Sequence, residues 1–502
     1  MRFTCLLLGF IAVGNTLLAD VAFDGMFGSY MVLPRDREIT VTGTTDAPSK
    51  QIEITFGDTK VKAVAKGKTW KAVLPAMPAS AEGRKLTATQ SGKEATLDDV
   101  LVGEVWLASG QSNMLFRLNQ STGGAQAIAA SENPLFRFYH AEPQVHTNAA
   151  PYGEKEKKLL EDGKMFLGAW AASSPATSPR MSAVGYYFGQ KLQKQLGVPV
   201  GVIHASVGGA EMMAFMPPSM LKKKEYKSCA TSRWLESPYM STWVRGRARR
   251  NIGNDLDAPH PYKPAYLYET GIAPWTSFPI SGVIWYQGES DAEIPSMEQN
   301  KKLLTDMITS WREAFSKPQL PFLMVQLPRI NDKTPLRAYW PEFRQVQSEV
   351  AADLPGVECV TTIDLGSTNS DVHPPRKTEV GERLADVAAA KVYGKNVPFS
   401  GPVFEKAKVK GPAVLLAWKY ADGLSTTNGA APLGFEVAAR DGKFFPAEAE
   451  IKGSHILIRS EEVTKPVFVR YGWLTYMEPN LVNGDKLPAV PFTADLKSSV
   501  KK

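Results

Sequence analysis

The sequence predicts an α/β protein: a mostly parallel sheet flanked by helices, set between an N-terminal and a C-terminal all-β module. Three observations predict it. Continuous apolar runs at 102–108, 200–205, 282–286, 321–326 and 358–363 alternate with helical periodicity at 184–196, 297–315, 341–352 and 377–392. Strands buried on both faces and wrapped by helices give this pattern. Before residue 100 and after residue 398, short β-branched segments separated by turn formers replace the helical periodicity, as in small β-sandwiches. Finally, 502 residues exceed what one hydrophobic core usually organises, so two or three domains are expected.

The elements follow in chain order. Arg2, an apolar run at 5–13 and the small-residue approach to Ala19 predict a secretory signal over 1–19, placing the mature protein in the periplasm or outside the cell. Residues 20–100 form the N-terminal β-sandwich-like domain, with strands at 38–42, 51–56, 60–64, 69–73 and 85–89. Residues 101–398 form the α/β domain. Its insert, at about 217–274, loses periodicity and gathers Pro, Tyr, Trp and basic residues, which predicts loops and short helices over the functional face. Residues 399–502 form the C-terminal β domain, with strands at 413–418, 434–438, 448–451, 455–459 and 466–471. Beyond the signal, no segment is long and apolar enough to predict a membrane span.

Composition excludes several classes of function. Hydrophobic residues at 43% and charged residues at 22% are ordinary globular usage, which argues against disorder or a fibre. The formal charge of +7 is modest for this length. Lys222-Lys223-Lys224 and the group Arg245, Arg247, Arg249 and Arg250 lack interleaved aromatics, so they read as solvated faces or contacts to an anionic sugar polymer rather than a nucleic-acid platform. If Cys5 leaves with the signal, Cys229 and Cys359 remain, enough for at most one disulfide and without metal-ligand spacing.

An open parallel sheet presents functional groups at the carboxyl ends of its strands. The first core strand runs into Ser109-Gly110-Gln111-Ser112-Asn113-Met114. A serine on a glycine-bearing turn at a helix start can expose its hydroxyl while its own N–H faces a developing oxyanion. The second ends in Ser206-Val207-Gly208-Gly209-Ala210, whose paired glycines allow close backbone approach and offer N–H donors. The third ends in Gln287-Gly288-Glu289-Ser290-Asp291, where Gln287 could donate a side-chain hydrogen bond and Glu289 could orient a base or accept a sugar hydroxyl. Near the last helix comes Asp371-Val372-His373-Pro374, an imidazole with a carboxylate two residues away in a turn. Taken singly each has a bland reading as a helix cap, tight turn or surface histidine. Their order along the chain is that of a serine hydrolase.

These residues resemble the sialate O-acetylesterase-like branch of the SGNH hydrolase superfamily, related to carbohydrate esterase family six. The resemblance rests on residues 103–114, 282–290 and 371–384, with Val469-Arg470-Tyr471-Gly472-Trp473 and Asn480-Leu481 resembling the C-terminal module. It implies a flavodoxin-like sheet and hydrolysis of carbohydrate O-acetyl esters, with Ser112 as nucleophile and His373 as general base. The implied acid is Asp371, with Glu289 as rival, because the superfamily usually places its Asp three residues before the His. The implied oxyanion hole is the N–H of Ser112, a glycine of Gly208-Gly209 and the side chain of Gln287, with Gln111 and Asn113 contacting substrate. Neither metal nor organic cofactor is implied. Val207 and Glu269 stand where the family commonly has Trp and Asn. Sialic acid, xylan or another acetylated glycan are the candidate substrates; the rivals are a sulfated or peptide-linked ester and a non-catalytic carbohydrate-binding protein.

Overall fold

The computed structural model describes residues 21–148 and 150–496; the leader expected at 1–19 lies outside them. One strand, Lys93–Gly110, joins the two principal parts. Its first residues alternate between exposed and half-buried and pair antiparallel with Ser80–Gln90 in the N-terminal β module. From Val100 onward every residue is buried, and the strand pairs in parallel with Val200–Ser206 on one side and Gly282–Tyr286 on the other. The boundary read at 100/101 therefore falls inside a single strand.

Across the α/β sheet the order is Phe166–Ser173, Asn133–Pro143, Val200–Ser206, Lys93–Gly110, Gly282–Tyr286, Phe322–Val325 and Val357–Val360. Only Phe166–Ser173, at one edge, runs antiparallel to its neighbour. Successive side chains of a strand point to opposite faces, and both faces are covered. Val105 and Leu107 pack with Leu303, Met307 and Trp311 of helix Met297–Ala314 and with Phe343 and Val350 of helix Trp340–Asp353. Trp106 and Ala108 pack with Val184, Phe188 and Leu192 of helix Ala183–Leu196 and with Leu384 and Ala388 of helix Thr378–Lys391. Local signals set the helix ends: the Ser182 and Ser296 side chains accept the N–H of Gly185 and Gln299, and Gly197 closes the first of these helices at φ +69°.

Leaving aside the Asn133–Pro143 and Phe166–Ser173 extension, the parallel strands lie in the order second, first, third, fourth, fifth. The winding direction reverses beside Lys93–Gly110, which opens a crevice at its carboxyl end. Residues 217–274 form short 3₁₀ turns, one longer helix, Thr242–Ile252, and a π-helical turn, Tyr268–Ile272.

The C-terminal module consists of two four-stranded sheets, closed around Trp418, Phe435, Ile456 and Tyr471, and a two-stranded ribbon. Arg344, buried on helix Trp340–Asp353, anchors it to the α/β part by donating to the carbonyls of Gly472 (2.8 Å), Leu474 (3.1 Å) and Thr475 (3.0 Å). Burial pulls this guanidinium down to about 9. Cys229 and Cys359 are both free, so the disulfide that the sequence left open is not formed. Arg344→Leu leaves the Gly472 and Leu474 carbonyls without their donor, while Thr475 keeps the Ile330 N–H (2.9 Å); it should cost on the order of 2–4 kcal/mol, read as a lower thermal midpoint and faster proteolysis of the C-terminal module.

Candidate active site

Lys93–Gly110 ends at a residue only glycine can supply. Gly110 has φ +137°, and a Cβ there would lie 2.1 Å from the Tyr286 carbonyl oxygen. The chain turns through Gln111 into the helical turn Ser112–Leu115, whose first N–H groups have no intrahelical acceptor. Gln111 locks this turn to the one after Gly282–Tyr286: its N–H donates to the Tyr286 carbonyl (3.0 Å), and its Oε1 accepts from the N–H groups of Gly288 (3.3 Å) and Ser290 (3.4 Å). On the other side, Gly208 packs against Ser112, while Gly209, at φ +74°, leaves room for Trp243 and the Tyr262 hydroxyl, which a Cβ would meet at 2.4 and 2.5 Å.

Ser112, Gln111, Gly208, Gly209, Glu289 and His373 line one cavity of about 280 Å³. Residues from four widely separated segments are thus brought together. The Ser112 hydroxyl makes no hydrogen bond among the described residues; His373 stands across the same cavity. Imidazole Nδ1 is 3.3 Å from Asp371 Oδ1, which also accepts the His373 N–H at 2.9 Å. That Asp371 side chain is 60% exposed and lies outside the cavity lining.

Glu289 is its opposite in environment. It is buried, and burial pushes its carboxyl up, against an Asn113 hydrogen bond and the nearby His373 and Lys377, which favour ionisation. Its Oε1 accepts from Asn113, and its Oε2 has no partner among the described residues.

Two expected site residues sit behind the cavity. Asn113 is buried and donates to Glu289 and to the Val372 carbonyl (2.8 Å) while accepting from Lys377. Gln287 turns away from the place an oxyanion donor would occupy: its amide donates to Asp291 and to the Ala210 carbonyl (3.3 Å). Asp291 also accepts the Met212 N–H (3.1 Å). Gln287 and Asp291 therefore stitch the glycine turn to the Glu289 turn.

The lining includes residues that sequence reasoning missed. Trp243 arrives on helix Thr242–Ile252 of the insert, capped by Ser241. Arg247 stacks 5.0 Å from its ring and donates to the Thr147 carbonyl (2.8 Å), so this member of the basic group is engaged rather than freely solvated. Glu293 is pushed up to about 7 by burial and faces Arg337 at 3.4 Å; Arg337 is also 3.3 Å from Asp332. Of the two departures, Val207 is buried in an adjoining cavity wall, whereas Glu269 is exposed on the turn Tyr268–Ile272, away from the cleft. A cavity-lining hydroxyl, an imidazole, glycine N–H donors and carboxylates around one cavity are the parts of an acyl-transfer site. Among the described residues no group of His, Cys, Asp and Glu is arranged to hold a metal ion.

Residues 253–390 match the family model for the carbohydrate esterase, sialic acid-specific acetylesterase domain. The chain is 26% identical to mouse sialate O-acetylesterase, with 94% of each chain covered, and 27% identical to the human one, covering 79% of this chain and 76% of that protein. The crystal structure of a carbohydrate acetylesterase from Xanthomonas citri is 32% identical, with a TM-score of 0.78, covering 95% of this chain and 99% of that one.

Gly209→Ala requires a side chain at positive φ where two rings already stand. It should lower stability by at least about 2 kcal/mol and displace Trp243, seen as a lower thermal midpoint and altered indole fluorescence.

Proposed function

The chain belongs to the sialate O-acetylesterase-like family of carbohydrate esterases, and from that premise we propose that it is an exported SGNH-type serine esterase removing acetyl groups from a carbohydrate. The observation that carries this reading is that Ser112 and His373 line one cavity with the Gly208-Gly209 turn.

Ser112 Oγ attacks the acetyl carbonyl carbon, and its proton passes to His373 Nε2. The negative charge moves onto the carbonyl oxygen, toward the N–H groups of Ser112, Gly208 and Gly209. As the carbon–oxygen bond to the sugar breaks, the imidazolium returns the proton to the departing sugar oxygen. Water, deprotonated by the same imidazole, then releases acetate and restores the serine. Asp371, beside Nδ1, favours the tautomer with Nε2 free to accept. Glu289 adds negative charge from the buried side, which stabilises the imidazolium.

The strand order and the serine turn at the winding reversal support the SGNH reading. The leader expected at 1–19 supports export, and Trp243 beside Glu293 and Arg337 supports a sugar as the group held. Among the described residues no helix is long and apolar enough to cross a membrane. Sialate, acetylated xylan and other acetylated glycans remain separate substrate candidates, and free acetate released from a panel of them distinguishes among them.

Ser112→Ala should reduce hydrolysis of p-nitrophenyl acetate by on the order of 10⁴-fold or more with the circular dichroism spectrum unchanged; a folded variant that keeps its activity removes Ser112 as nucleophile. Asp371→Asn and Glu289→Gln, compared on the same ester, identify the acid: the dominant partner gives the larger fall in kcat.

A further inference from the structure

Lys377 lies four residues beyond His373, at the entry to helix Thr378–Lys391, and is fully buried. Its Nζ donates to Asn113 Oδ1 and stands 5.0 Å from the Phe116 ring and 5.1 Å from the Tyr286 ring. The other edge of the same amide donates to Glu289 and to the carbonyl of Val372, the residue before His373. A continuous polar chain, Lys377 to Asn113 to Glu289, therefore runs behind the nucleophile.

Donor chemistry makes this chain directional. An ammonium can only donate, while a carbonyl and an ionised carboxylate can only accept. With Lys377 at one edge, the Asn113 amide has one orientation that satisfies all its neighbours. Reversing it would set its NH₂ against the ammonium and its oxygen against two acceptors. Charge acts in the same sense, since the acids that favour the ammonium are Glu289 and Asp371. Burial outweighs these acids, leaving Lys377 pulled down to about 7, and it pushes Glu289 up.

Resting on the serine-esterase reading, we propose that Lys377 is a positioning residue. It fixes the Asn113 amide so that the His373 loop stays registered against Ser112, and its charge keeps Glu289 ionised beside the imidazole. Glu289, Asp371 and His373 are titratable groups whose charges interact with this chain, as are Asp291 and the Tyr286 phenol, both pushed up in part by Glu289; Tyr286 also contributes the face of its ring.

The test is the pH profile of p-nitrophenyl acetate hydrolysis. Lys377→Gln keeps a donor for Asn113 and removes the charge. Without a nearby cation Glu289 holds its proton to higher pH, so the acid limb of kcat should rise by about 0.5–1 pH unit. At pH 7 kcat should fall by about two- to tenfold while KM changes by less than about twofold. Lys377→Met, without the donor, should fall further. Glu289→Gln should move the limb the other way, and in the Lys377→Gln/Glu289→Gln pair the limb should stay where Glu289→Gln alone leaves it. A limb that stays at its wild-type position in folded Lys377→Gln overturns the proposal. If the lysine variants do not fold, an unmoved limb in Glu289→Gln overturns it equally. Activity surviving in Ser112→Ala would instead defeat the serine-esterase reading on which the proposal rests.

Discussion

The amide of Asn113 is the constraint on which the site depends. The Ser112 turn, the glycine turn and the Glu289 turn all follow strands of one sheet, so hydrogen-bonded ladders fix their spacing. The His373 segment has no such support. It lies between Val357–Val360 and Thr378–Lys391, in a stretch without regular secondary structure. Three contacts hold its inner side to the serine region: Asn113 to the Val372 carbonyl, Lys377 to Asn113, and the Thr122 N–H to the Pro375 carbonyl at 2.9 Å. Two of the three pass through one side chain, next in sequence to Ser112.

Burying polar groups so close to the cavity is costly unless each finds a partner, and the site meets that cost unevenly. Gln287 donates to Asp291 and the pair clamps two turns, but Gln287 Oε1, Asp291 Oδ1, Glu211 Oε2 and Glu293 Oε2 have no hydrogen-bond partner among the described residues. Burial accordingly pushes all three acids up. The wall behind the glycine turn thus carries less negative charge than these three acids suggest. This leaves the charges around His373 to be set mainly by Glu289, Asp371 and Lys377.

The framework was legible in the sequence because strands buried on both faces leave uninterrupted apolar runs. Gly282–Tyr286 and His455–Arg459 occupy the ranges read from pattern, and the helices begin and end within a residue or two of their periodicity. Asn133–Pro143 and Phe166–Ser173 were missed. The first is broken by Pro134, Arg137 and His140, and the second is rich in Ala and Gly, so neither presents an apolar β-branched run. In the site, glycines and polar residues after strands pointed to the right turns. The sequence could not tell which way Gln287 faces, because Asp291, four residues on, competes for its amide. Nor could local pattern single out Lys377 or Trp243, whose partners lie far away in the chain.

The division between strand ends and loops also separates chemistry from selection. Ser112, Gly208, Gly209 and Glu289 follow sheet strands and are held by backbone ladders. Trp243 comes from the insert and Arg337 from the short turn Pro335–Arg337, while Thr147 lies outside any helix or strand. Substitutions in these loops can reshape the cavity wall without moving the sheet, because few ladder hydrogen bonds depend on them. Arg337 is held between Glu293 and Asp332 rather than left free, so a substrate anion would have to compete with two carboxylates for it. Trp243 has its ring backed by Arg247, which fixes the indole's position on the insert side of the cavity. On the proposed reading, selectivity among acetylated sugars would rest on loop residues whose spacing carries no periodic signal, while Ser112, Gly208, Gly209 and Glu289 rest on the sheet, where the sequence signal is strongest.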